Sequence, residues 1–260
     1  MTKTITKKNF VPMTGFHFDP VAHIYTLDGR PMHGVTSILR VIAKPALINW
    51  AANMACDYIK ANCEVQKTRP FTDAKEHTAY FVSEEKLEEA RIAHTKKKED
   101  AGEKGSDIHA RIEEMVKEAI NLFGGHLRPT ITDDMPSQVV KFVEWAVHNN
   151  VKFLESEKRV YSRESWYAGT LDLILEMDGK KYIADVKTSS AIYPEFYLQM
   201  AAYQGALEEM GEHEDIKGAM VINVNKRGGF EIGMNYDYEG NRLAFLAALV
   251  LYKQLNALTK

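Results

Sequence analysis

The 260-residue chain is long enough for one sizeable α/β domain, or for a core domain with a subdomain. Its 33 basic and 36 acidic residues nearly cancel, leaving −3, so no global field marks a polyanion partner; any such site must be a local basic cleft. Two cysteines, Cys56 and Cys63, are too few for a disulfide framework, a four-thiolate zinc site or an intrachain four-cysteine iron–sulfur cluster, and they read as core thiols of a reducing cytosol. The opening MTKTITKKNF lacks the apolar stretch of a signal peptide, and no apolar run reaches about 18 residues. A soluble cytoplasmic protein with no membrane partner is expected.

After a basic tail, HIYTLDGRPMHGV reads as two short extended runs joined by an Asp28-Gly29 hairpin turn. Thr36 is placed to cap a short helix that stops before Pro45. Leu47, Trp50, Met54 and Tyr58 recur at helical spacing, which predicts a helix over 45–64. Residues 83–123 are polar and helix-prone, with a break expected at Gly102 and Gly105 and an end at Gly124-Gly125. The run Lys96-Lys97-Lys98 in this stretch reads as a solvated face. SQVVKFVEWAVHN predicts one more amphipathic helix.

The character changes at Val151. Three strands follow in quick succession, then a helix with Pro194 near its start and Gly211 at its end, two further strands, and a closing helix over 239–258. The order β-β-β-α-β-β-α predicts an α/β fold: a central mixed β-sheet flanked by helices, with a helical N-terminal region. The expected organisation is a tail and hairpin over 1–35, a helical region over 36–150 and a core over 151–260.

GTLDLILEMDGKKYIADVKTSS, residues 169–190, carries the chemistry. Asp172, Asp185 and Lys187 interrupt or flank apolar strand runs, and burying an unpaired charge costs several kcal/mol, so such groups pair, bind metal or face a cleft. Asp185 and Lys187 are two apart and share one side of a strand. A tight hairpin around Asp178-Gly179 brings residues near 172 opposite residues near 185. Two carboxylate oxygens a few ångströms apart suit Mg²⁺ or Mn²⁺, and a neighbouring ammonium can orient or deprotonate a water and balance phosphate charge. Gly169 suits a place of close backbone approach.

These residues resemble the PD-(D/E)XK nuclease superfamily, with Asp172 as the first acid and Asp185-Val186-Lys187 as the (D/E)XK element. LQMAAY supplies Gln199 and Tyr203, and KGSDIHARIE supplies Gly105 and His109, similar to the Q-x-x-x-Y and G-x-x-x-H elements of the RecB-like exonuclease branch. The N-terminal HIYTLDGRPMHGVTSIL also resembles phage- and prophage-encoded members.

The resemblance implies a restriction-endonuclease-like core and a Mg²⁺- or Mn²⁺-dependent deoxyribonuclease, in phage-type recombination, replication or repair. It assigns His109, Asp172, Asp185 and the Val186 carbonyl as metal ligands, the imidazole leaning towards Mn²⁺. Lys187 would position the attacking water, while Gln199 and Tyr203, one turn apart, would brace the site or touch the DNA backbone. Glu113 and Glu157 rank behind these, and Lys226-Arg227 on a β-turn could graze nucleic acid. The implied partners are linear or single-stranded DNA ends, with a recombinase, single-strand-binding protein or helicase as another chain; a homo-oligomer is compatible. The setting would be the cytoplasm of a bacterial or phage-infected cell. No iron–sulfur cluster and no Walker-type motor is expected. The competing readings are an endonuclease of the same fold and a non-catalytic DNA-end-binding protein.

Overall fold

A computed structural model describes residues 15–68, 77–128, 131–225 and 228–258. The chain divides into two compact units: Ala43–Ser106, and the segments up to Ile42 and from Asp107 onwards.

In the second of these, strands β1 (Phe16–Asp19), β2 (Ile24–Leu27) and β3 (Arg30–Pro31) form a small antiparallel sheet. Asp28 and Gly29 turn the β2–β3 hairpin with φ of 50° and 74°, as a two-residue turn of this hand requires. Strand β4 (His33–Gly34) leads into α1 (Val35–Ile38), and a 3₁₀ turn follows over Leu39–Val41. The helix starts earlier than Thr36 predicts: Gly34 is the N-cap, with no side-chain capping bond, because burial of Val35 and Ile38 fixes the turn.

The unit Ala43–Ser106 holds α2 (Pro45–Asn62), the hairpin β5 (Glu64–Thr68) and β6 (His77–Phe81), and the first part of α3 (Glu84–Leu122). Pro45 occupies the first turn of α2, where its missing N–H costs no bond. Cys56 is exposed and Cys63 half-buried, so the expectation of core thiols fails; Cys56 lies on α2 and Cys63 caps its end. The β5–β6 hairpin escapes sequence reading because β6 is largely exposed and shows no buried alternation. Helix α3 runs 39 residues without a break at Gly102 or Gly105. Each glycine costs about 1 kcal/mol against alanine, too little to break a helix of 39 residues. Gly124 and Gly125, at φ 63° and 94°, end this region, and the Gly125 amide closes onto Ala119 O at 2.9 Å.

The remaining elements belong to the larger unit: α4 (Ser137–His148), β7 (Lys152–Ser162), β8 (Tyr167–Met177), β9 (Lys180–Lys187), α5 (Pro194–Met210), β10 (Ile216–Val224), β11 (Phe230–Asn235) and α6 (Tyr238–Leu258). Their sheet is mixed and runs β11-β10-β9-β8-β4, with β7 also paired to β8. Strands β9 and β10 are parallel, joined by α5 as the crossover. One core lies between the sheet and α5 and α6, around Ile174, Ile183, Val221, Met200 and Phe245. The other packs Leu173, Leu175, Ala184 and Val186 against α4 and the later part of α3. This is the α/β architecture with helices flanking a mixed sheet that the element order predicts. Among the described residues no helix is long and apolar enough to cross a membrane.

Candidate functional site

The site is built where one strand edge changes partner. Asp178 and Gly179, at φ 52° and 69°, close the β8–β9 hairpin tightly and set Met177 opposite Lys180. The ladder then runs to Leu173 opposite Ala184 and stops. At its other end the same edge of β8 pairs with β4, at Tyr167 and Ala168. Between them, residues 169–172 face an opening where β9 leaves β8. Asp172 and Asp185 are the first residues past the end of the ladder. The in–out alternation of β8 also changes phase here: Gly169 and Leu171 face the α5 side, whereas Leu173 and Leu175 face the α4 side.

Side chains occupy the opening. The Val186 amide, which the split deprives of a strand partner, donates to Asp172 Oδ2 at 2.9 Å. Helix α3 brings His109 to the same oxygen, with Nε2 at 3.0 Å. Tyr203 of α5 fills the space over Gly169, where an added Cβ would lie 2.5 Å from Tyr203 Cε1. Gln199, one turn earlier, donates from Nε2 to the Tyr203 hydroxyl at 2.9 Å. Both are buried, so the pair acts as a brace.

Asp185 is the least comfortable group. Its residue is 1% exposed, and neither carboxylate oxygen has a hydrogen bond of ordinary geometry. Its one close charge partner is the Lys187 ammonium, 2.5 Å from Oδ2. The same ammonium lies 5.2 Å from the Phe196 ring centroid in the first turn of α5.

The electrostatics split the two acids. Burial pushes Asp185 up to about 7 and Asp172 adds to this, outweighing the attraction of Lys187. Burial also acts to raise Asp172, but the His109 bond, the Lys187 charge and the Val186 amide hold it below the usual carboxylate value. Lys187 is raised despite its burial, by Asp185 and then Asp172, so it stays an ammonium at neutral pH. It can therefore donate to a water or a phosphate oxygen, and of the two roles open to it in the sequence, proton removal loses support. The Asp172 bond raises His109 against the opposing effect of burial.

Glu157 stands closer to the centre than its secondary place in the sequence suggests. Ser156 pairs with Leu173 and Lys158 with Leu171, which sets Glu157 across β7–β8 from Asp172. A register shift between Phe153 and Glu155 produces this placement, and Glu157 itself adopts φ 51°. Ligand atoms of His109, Glu157 and Asp172 lie within 4.8 Å of one another. Burial, then Asp172 and Glu113, push Glu157 up to about 7. Glu113 is half-buried and ion-paired with Lys117, so it acts on this group as a neighbouring charge. Lys226 and Arg227 lie outside the described residues.

The group that could hold a hard or borderline divalent cation is two carboxylates and an imidazole, Asp172, Glu157 and His109; Asp185 is not among its ligand atoms and stands beside it, with Lys187 against Oδ2. A second histidine–carboxylate group, Glu155, Glu212 and His213, differs in kind. There Lys158 sits 3.0 Å from Glu155 and 2.7 Å from Glu212, so an ammonium already bridges both carboxylates and the group pins β7 to the loop after α5. No family model matches the chain, and no curated protein matches it.

Proposed function

We propose that the chain is a metal-dependent deoxyribonuclease that hydrolyses phosphodiester bonds at DNA ends. The observation that carries this reading is Asp185, a carboxylate buried beside Asp172 with no ordinary hydrogen bond to either oxygen. A purely structural ion pair would satisfy those lone pairs, and a half-satisfied buried charge is a poor stabiliser. His109, Asp172 and Glu157, with Asp185 beside them, are the residues that would hold Mg²⁺ or Mn²⁺. When bound, such an ion lowers the pKa of its water and offsets charge on the phosphate.

The protein's own groups divide the remaining work. Lys187 is fixed as an ammonium and oriented by Asp185, ready to align the attacking water and to meet negative charge growing on the phosphate. Gln199 and Tyr203 hold α5 against the exposed edge of β8 and keep Phe196 beneath the ammonium. The amide of Val186 fixes the Asp172 carboxylate, leaving its second oxygen for a ligand. The strained Glu157 backbone fits a carboxylate held in place for use rather than for stability.

The exonuclease direction of the reading rests on the Gly105/His109 and Gln199/Tyr203 elements, and with it come DNA ends as substrate and a bacterial or phage-infected cytoplasm as setting. Linear duplex DNA and a covalently closed circle, incubated side by side with Mn²⁺, test it. Loss of the linear DNA with an intact circle is expected. Cutting of the circle would assign an endonuclease instead.

A further inference from the structure

Strands β9 and β10 are parallel and end together, at Lys187 and Val224, with α5 as their crossover. Crevices at the carboxyl ends of such strands are where open α/β sheets take their ligands. In register with Lys187 stands Asn223. It is the one amide in the apolar run MVINV, and its neighbours fix its direction. Val221 packs into the α5-side core and Ile222 into the α4-side core, so Asn223 shares the α5 face with Asp185 and Lys187.

Asn223 is 1% exposed, and its Nδ2 has no hydrogen-bond partner. Its Oδ1 lies 3.3 Å from the Ser189 hydroxyl, whose single proton has a shorter contact, 2.6 Å, to Ala191 O. A buried amide donor without an acceptor is rare, because desolvating it is costly. Here the unpaired donor stands beside the ammonium that the proposed reaction uses, on the same face of the sheet.

We propose that Asn223 is a substrate contact: its Nδ2 donates to a non-bridging oxygen of the phosphate next to the one that Lys187 meets. This rests on the nuclease reading and adds a residue to it. A neutral donor at this point supplies affinity and register along the strand without competing with Lys187 for Asp185.

The test is steady-state cleavage of end-labelled linear DNA with Mn²⁺ by wild type, Asn223→Ala and Asn223→Asp, each checked by its melting curve. Asn223→Ala is expected to raise KM for DNA by about 10- to 100-fold, with a smaller change in kcat. Asn223→Asp keeps the size but replaces the donor with a charge that repels phosphate, so its KM should rise further; being isosteric, it carries the test should the alanine variant not fold. A KM within about twofold of wild type in the aspartate variant would overturn the contact. So would a fall in kcat alone, which would mark an effect through Lys187. A wild type that cuts nothing would remove the nuclease reading and this inference with it, whereas a cutting wild type with unchanged variants overturns the inference alone.

Discussion

An Asp185→Asn protein is expected to melt higher than wild type in EDTA at pH 8, and to cleave no DNA when Mn²⁺ is restored. The two effects have one origin. Asp185 is 1% exposed, neither oxygen has an ordinary hydrogen bond, and its pKa is pushed up to about 7 despite Lys187 at 2.5 Å. Above that pH the folded protein carries a charge that its surroundings disfavour. Asparagine removes the charge, keeps the shape and still offers Lys187 an oxygen, while Asp172 continues to attract the ammonium. The gain should be on the order of 1–3 kcal/mol, or a few degrees in Tm. The same change removes an anionic ligand and should cost about 10³-fold or more in cleavage rate. Loss of stability together with loss of activity would instead assign Asp185 a structural role.

The second large effect is a melting temperature that falls as pH rises from about 5 to about 8 in EDTA, and recovers with Mn²⁺. The sign follows from the acids. Asp185 moves from 3.8 to about 7 on folding and Glu157 from 4.5 to about 7, so the folded state binds more protons between those values. Stability is therefore highest on the acid side and declines until both groups have ionised. His109, raised on folding, contributes in the same direction, since its share is full below its unfolded value of 6.5 and is lost as pH climbs through the folded one. Asp172, held low, has its effect below its unfolded value of 3.8, outside this window. A cation binds the ionised ligands, so the Mn²⁺-induced rise in Tm should grow with pH across the window. Scanning calorimetry at several pH values, with EDTA or Mn²⁺, measures both. A Tm that climbs with pH in EDTA would contradict the assigned electrostatics.

Much of the arrangement is written in local sequence. Asp178-Gly179 demands a two-residue turn, and that turn alone sets Asp172 opposite Asp185. The spacing of Gln199 and Tyr203 places both on one helix face, and Gly169 signals the close approach that Tyr203 makes. What local sequence does not hold is competition between distant segments. The opening lies between β4, which takes the β8 edge at Tyr167 and Ala168, and β9, whose ladder with β8 stops at Leu173 and Ala184. The central position of Glu157 depends on a register shift in β7, which periodicity does not mark. Asn223 becomes conspicuous only once parallel pairing puts it beside Lys187. The glycines of α3 mislead in the opposite sense, because local propensity exaggerates two tolerable penalties in a 39-residue helix.

The most direct test of the central claim is nucleotide release from end-labelled linear DNA by the purified wild-type chain and by Lys187→Ala, with Mn²⁺ or EDTA. Release by wild type with Mn²⁺ alone, and none by Lys187→Ala, is the result predicted for charges that line a metal-and-phosphate site. Release that persists in EDTA, or that the Lys187→Ala protein sustains at the wild-type rate, would contradict it.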